Sequence, residues 1–328
     1  MLNESKYKLR IRAIIADSPA RAFIKGVVSF NATSGCLKCE AVATHDSVTN
    51  RMYFDGINAL KRTDIKFRNM EYPSHIKNPT PLIDLINFDI IQDVIVSDRL
   101  HLIDLGLMKK LLNGWCRGLF GYRTKWSIKE INEISMFLEN MQLPSEIHRQ
   151  LRSLKYLHYW KGTELRTFLH YASIVILKDR IPDYMYKHFM LFFCAITLLS
   201  SYAYEQHWEL AGQMLDTFVN EFGDIYDKSI VSSNVHNIQH VYDEVCRFGP
   251  LEEISSYPFE NHLQRIKRLL RSGSRSLEQV VNRLTERRLC KQAKEKNHNK
   301  RYPILITKGH DIEIHLKPDF MLKKGGEK

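Results

Sequence analysis

An α-rich α+β fold is predicted, and three features of the sequence predict it. Tyr7, Leu9, Ile11, Ala13 and Ile15 alternate with Lys8, Arg10 and Arg12, the period of two expected of a half-buried strand. A short apolar run at 90–96, IIQDVIV, offers a second strand or the start of a buried helix. Beyond Trp115, apolar residues recur at helical spacing almost to the end of the chain. The expected division is an α/β region at 1–100, a helical region at 101–300, and a terminal hairpin with a disordered tail at 301–328.

The elements follow in order. The strand at 7–15 runs into Asp17, and Ser18-Pro19 offers an N-cap followed by proline in the first turn of a helix that Gly26 can end. Residues 31–64 read as a loop-rich excursion holding Cys36, Cys39 and His45. The segment 72–81 carries three prolines and reads as a linker or extended crossing. From His101 to Leu112 the pattern is helical. Ser127 and Glu130 fit a capping box, followed by Ile131, Ile134, Phe137 and Leu138. Helices are also expected at 156–177, 182–204, 208–222 and 234–248, the last ending at Gly249-Pro250. Phe259, Leu263, Ile266 and Leu270 then form an apolar stripe whose outer face carries Arg265, Lys267, Arg268 and Arg271. Residues 304–306 and 312–316 read as the terminal hairpin.

Composition narrows the function. The chain has 328 residues, 44% of them hydrophobic, which supports a real core and excludes a disordered protein. Its net charge of +11 suits a polyanionic partner, nucleic acid first. Of its six cysteines only Cys36 and Cys39 are neighbours, so no secreted disulfide framework is present and a reducing compartment, nucleus or cytosol, is expected. No signal sequence opens the chain, and its most apolar segment, 189–199, is about half the length needed to span a bilayer. A membrane is therefore not expected as a partner.

Three constellations carry candidate chemistry. Asp17 sits where a strand turns into a helix, a rigid and reachable place for a metal-binding acid, although most such residues are helix caps. Cys36-Leu37-Lys38-Cys39 has the spacing with which two thiolates grip one zinc ion, leaving two ligands to be found; His45 and His101 are candidates. Asp98 and His101 stand three apart on one helical face, with Asp104 a further three along. Glu164 and Arg166 lie in an otherwise apolar helix. No nucleotide-loop, hydrolase-elbow or zincin motif occurs.

Five segments, in order, resemble a known family. They are Asp17 to Gly26 with Gly35-Cys36-Leu37-Lys38-Cys39; Ser97 to Gly106; Arg152-Ser153-Leu154 with Trp160 to Arg166; Val235 to His240 with Arg247-Phe248-Gly249-Pro250; and Tyr257 to Asn261. Together they resemble En/Spm-like (CACTA-type) cut-and-paste transposases and the animal transposase-domain proteins related to them, over about residues 7–272. The resemblance implies a ribonuclease-H-like core, here partial, interrupted by a helical insertion. In the intact family two Asp and one Glu hold two divalent ions, Mg or Mn, that drive attack on DNA phosphodiesters. Asp17 then corresponds to the second Asp, and Cys36 and Cys39 to a zinc knuckle. Asp98 and His101 make the D-x-x-H element, counted with the metal-site residues. Glu164 is the candidate final acid, with Glu146 and Glu205 as alternatives.

No Asp occurs in residues 1–16 to serve as the first acid. The chain is therefore expected to begin partway through an ancestral domain, with two-metal chemistry disabled. The functional expectation is a transposase-derived, catalytically incomplete DNA-binding protein of the nucleus, with Arg265, Lys267, Arg268 and Arg271 on phosphate. The alternative is a domesticated, non-catalytic scaffold or interaction protein. DNA is the expected partner, with room for a homo-oligomer.

Overall fold

In a computed structural model the described residues are 10–121, 124–297, 303–308, 311–317 and 320–323. The fold is α-rich α+β, and the chain divides into two compact units, 1–257 and 258–328. Among the described residues, no helix is long and apolar enough to cross a membrane.

The first unit opens with β1 (Ile14–Ile15), which pairs in parallel with β4 (Val94–Ile95). The strand predicted for 7–15 is thus shorter where it is described; its first residues, Tyr7, Lys8 and Leu9, lie outside the described residues. Side chains replace the ladder beyond Ile15 and Ile95. The Glu244 carboxylate accepts from the Val96 and Ser97 N–H groups, while Arg21 donates to the carbonyls of Ala16, Ile95 and Val96. With those groups satisfied laterally, the backbone has no need of a longer strand.

Helix α1 (Ser18–Lys25) follows β1, and its N-cap is Asp17 rather than Ser18. Gly26 ends it at φ +66°, with a Cβ position only 2.3 Å from the Asn78 carbonyl oxygen, so only glycine fits. That approach lets 75–78 cross beside α1: Lys77 and Asn78 both donate to Gly26 O. The expected linker is therefore an extended crossing tied into the core. The hairpin β2 (Thr44–Asp46) and β3 (Arg51–Tyr53) and the helix α2 (Asp64–Arg68) complete this part, with a small core of Val27, Leu37, Phe67, Ile90, Ile91 and Val94.

A π-helical segment, Arg99–Met108, leads into α3 (Lys109–Arg117) and then α4 (Ile128–Asn140), which has the predicted Ser127–Glu130 capping box. The short α5 (Gly162–Thr167) and α6 (Ser173–Lys178) follow. The long α7 (Asp183–Leu198) and α8 (Trp208–Ile225) form a packed pair. The chain then turns through α9 (Ser233–His236) into α10 (Val241–Phe248). Trp115, Trp160, Phe168, Phe189, Phe192 and Phe218 are among the large, fully buried aromatic side chains of the resulting helical core.

The second unit holds most of α11 (Tyr257–Lys267), then α12 (Ser276–Asn297) and a three-stranded antiparallel sheet of β5 (Ile304–Lys308), β6 (Asp311–Lys317) and β7 (Phe320–Lys323). The predicted hairpin is β5–β6, to which β7 adds a third strand. The tail expected to be disordered overlaps β7 at Leu322 and Lys323; its remainder, 324–328, lies outside the described residues.

Candidate metal centre

The Cys36–Cys39 knuckle is held by backbone on both sides. Gly35 packs so tightly that a Cβ would lie 2.6–2.9 Å from the carbonyl oxygens of Ser29, Phe30 and Ala32. Arg62 N–H donates to Lys38 O and its guanidinium Nε to Cys36 O, and Cys39 bridges Lys61. Within the turn, the N–H groups of Lys38 and Cys39 point at Cys36 Sγ, at 3.5 and 3.4 Å.

Two histidines from the far end of the first unit complete the group. His236 ends α9 and His240 lies one turn on, so their rings share a helix face. Cys36 Sγ is 3.4 Å from His240 Nε2, Cys39 Sγ is 3.2 Å from His236 Nε2, and the two sulfurs are 3.5 Å apart. All four residues are buried, and their ligand atoms lie within 4.8 Å of one another. Zinc–sulfur and zinc–nitrogen bonds place the donors of a tetrahedral site roughly 3.3–3.8 Å apart. The group fits a metal such as zinc, with no open position for a substrate. Glu244, a further turn on, reaches the same side and pairs with Lys38 of the knuckle. His236, His240 and Glu244 thus form one stripe that clasps the N-terminal segment.

The neighbours tune these ligands. Phe54 stacks on His236 with ring centroids 4.7 Å apart, and the Gln239 amide lies 3.0 Å from His236 Nδ1. Burial opposes ionisation of Cys36, but the hydrogen bond from Cys39 and the adjoining histidines outweigh it and hold that thiol well below its ordinary value. Cys39 is pushed up by its bond to Cys36 and by burial. One thiol of the pair is therefore predisposed to be a thiolate before any metal arrives, and a metal would be needed to ionise the second.

The structure does not bring His45 or His101 to this group. His45 sits in the exposed β2–β3 hairpin beside Asn50 Oδ1. His101 is engaged elsewhere, with Asp98 and Ser256, so neither Asp98 nor His101 belongs to the cluster found at the knuckle. Asp98 is fully buried and caps the π-helical segment, accepting from the Leu100 and His101 N–H groups and from the Ser256 N–H (2.8 Å) and Oγ (2.7 Å). Burial pulls its carboxyl up, but the bonds from His101 and Ser256 prevail and hold it low. Ser256 and Asp98 both meet His101 at Nδ1, so the trio lacks the opposed nitrogens of a proton-relay triad.

Asp17 is exposed, with one carboxylate oxygen accepting from Ala20 N–H at 2.8 Å. Glu164 is buried and held at 2.6 and 2.7 Å by Arg152, while also accepting from Lys161 N–H. Burial raises its carboxyl and these donors lower it, with the donors prevailing. Glu146 and Glu205 are exposed. Among the described residues the Cys2His2 group is the cluster of metal-ligating side chains found; Asp17, Asp98 and Glu164 do not form one. Arg265, Lys267, Arg268 and Arg271 are all exposed, on α11 and the turn after it.

Comparison with family models and with curated proteins finds no match to this chain. The signal that could have identified the histidines lies in Val235 to His240 and beyond. His236, His240 and Glu244 recur every four residues, the spacing that places them on one helical face.

Proposed function

We propose that this chain is a transposase-derived DNA-binding protein in which a structural zinc ion at Cys36, Cys39, His236 and His240 clasps a partial ribonuclease-H-like region to the helical region. The observation that carries the reading is the meeting of two distant motif segments, the CxxC turn and the Val235–His240 segment, in one buried four-ligand group. The parallel pair β1–β4, each strand followed by an acid (Asp17 and Asp98), is consistent with a remnant of a ribonuclease-H-like sheet.

Zinc bound by four protein ligands supplies cross-linking and no reactive water. Cleavage is not part of the proposal. Glu164 is committed to Arg152, and Asp98 to Ser256 and His101. What remains is binding through the excess of Lys and Arg, with nuclear DNA as the partner.

The test is DNA affinity measured against salt. Affinity should fall steeply as salt rises, and changing Arg265, Lys267, Arg268 and Arg271 together to Glu should weaken binding to all sequences alike. Four lost phosphate contacts would flatten the log–log salt slope by about three to four. Affinity indifferent to salt would favour the non-catalytic scaffold instead.

A further inference from the structure

Four hollows in the first unit differ sharply in charge. The largest, about 770 Å³, is lined by Arg10, Arg12, Arg68 and Arg247, but also by four aspartates. Its cations are largely spoken for: Arg247 pairs with Asp93, Arg68 with Asp64, and Arg12 donates to Phe248 O. It offers little net attraction to an anion.

The other three have no Asp or Glu among their lining residues. One, about 450 Å³, is walled by Phe30, Met52 and Ile230 and carries Lys110, Arg51 and three serines. The second, about 260 Å³, shares Leu119 with it and adds Lys109, Arg117 and His158. The third, about 290 Å³, shares Arg117 with the second and adds Lys155. The three therefore adjoin one another in series.

Lys110 is half-buried and donates to Ser232 Oγ at 3.3 Å, with no carboxylate partner among the described residues. Burial, with Arg51 adding to it, brings its ammonium down to about 8, so it is still charged at neutral pH. Lys109 is lowered by burial, Arg117 and Lys161, a surrounding made of other cations. Like charges gathered along one path without carboxylates are unfavourable alone and become favourable against a polyanion.

We infer that these three hollows form one track for the sugar–phosphate backbone of a nucleic-acid strand, with Lys110, Arg117 and Lys155 as successive phosphate contacts. The Ser232 and Ser233 hydroxyls beside Lys110 supply donors to phosphate oxygens, the Ser229 hydroxyl being taken by Asp227, and Phe30 and Met52 supply an apolar wall for a sugar or base. This rests on the nucleic-acid reading above but assigns the strand to residues of the first unit, a set different from the cations of α11.

The experiment is fluorescence anisotropy of the full chain with a short labelled single strand across a salt series. Lys110→Met with Arg117→Gln and Lys155→Gln should weaken binding tenfold or more and flatten the log–log salt slope by about two. Arg10→Gln, in the mixed-charge hollow, should leave affinity unchanged. Arg117 and Lys155 are exposed, so their double variant keeps the test open if the triple variant fails to fold; it should lower affinity severalfold. A folded variant that binds like the unaltered protein, while the α11 variant loses binding, overturns the track alone. Absence of salt-dependent binding by the unaltered protein overturns the track and the DNA reading together. Inorganic phosphate or adenosine monophosphate raising the melting temperature through Lys110, with strand affinity indifferent to Arg117 and Lys155, would mark a site for a free phosphate ester and overturn the strand.

Discussion

The Cys2His2 group and the three candidate acids are built on opposite principles. In the first, four buried donors from segments about two hundred residues apart face mainly one another. In the second, each acid is served where it stands: Asp17 by a helix N–H, Asp98 by Ser256 and His101, Glu164 by Arg152. Two thiols and two imidazoles gathered within 4.8 Å suit one shared metal ion. The carboxylates of Asp98 and Glu164, with both oxygens taken, are suited to structural parts, whereas Asp17 keeps one oxygen open. The contrast teaches that a motif's residue types locate a candidate, while its hydrogen bonds decide what the candidate does.

Removing the metal should break the comparison hardest. Purified protein is expected to carry about one zinc per chain, and Cys36→Ser with Cys39→Ser should abolish it. Structural zinc is worth on the order of 10 kcal/mol to small domains, and even about half of that corresponds to a fall in melting temperature of some 10–20 °C. Metal analysis with thermal unfolding, before and after chelator, checks both parts. Protein that is metal-free yet equally stable would reduce the group to an ordinary buried cluster.

Asp98 should come next, because it is fully buried with several donors aimed at it. Asp98→Ala leaves the Ser256 N–H and hydroxyl without the carboxylate they donate to, a loss on the order of 3 kcal/mol by denaturant unfolding. Its pH signature is distinctive. Although burial opposes it, bonding from His101 and Ser256 depresses the folded pKa, so the contribution is complete above about pH 4 and fades as pH falls through the lower folded value. Asp104 has the opposite sign. Burial, only partly offset by Arg99, lifts its carboxyl to about 6, so stability declines as pH rises from the ordinary carboxylate value towards 6. Asp98→Asn should weaken the acid limb of the stability profile, which Glu164 shares, and Asp104→Asn should lessen the decline on the other side. A profile that neither variant alters would contradict these assignments.

Glu164 sharpens the same contrast at smaller scale. Arg152 is 41% exposed, and water screens part of the pair. Glu164→Gln should therefore cost about 1–2 kcal/mol in unfolding, far less than a buried charge pair would. A loss confined to a metal-dependent activity, with stability untouched, would return Glu164 to the role of a catalytic acid.

Much of the fold could be read locally. Gly26 at the end of α1, the Ser127–Glu130 box and the β5–β6 hairpin each follow from signals within a few residues. The length of β1 could not, because Arg21 and Glu244 take over its neighbouring backbone groups, and Glu244 lies some 230 residues away. The centre was half legible for the same reason. Two cysteines within one turn announce themselves, whereas His236 and His240 are chosen by the packing of α9 and α10 against the knuckle. The acids were legible only as candidates: strand-end position marked Asp17, but position cannot distinguish an N-cap from a ligand.

That ambiguity makes Asp17 the smallest and most discriminating test. As an N-cap its value lies in accepting the Ala20 N–H, which an asparagine oxygen does equally well. Asp17→Asn should therefore be nearly neutral in stability, while Asp17→Ala should cost about 1 kcal/mol. A metal-holding acid obeys another rule, since losing its charge is as damaging as losing its side chain. Incubation with supercoiled DNA and Mg²⁺ or Mn²⁺ is expected to yield no nicking by the unaltered chain or by either variant. Nicking that Asp17→Asn abolishes, while the melting temperature stays put, would move Asp17 from the structural acids to the catalytic ones.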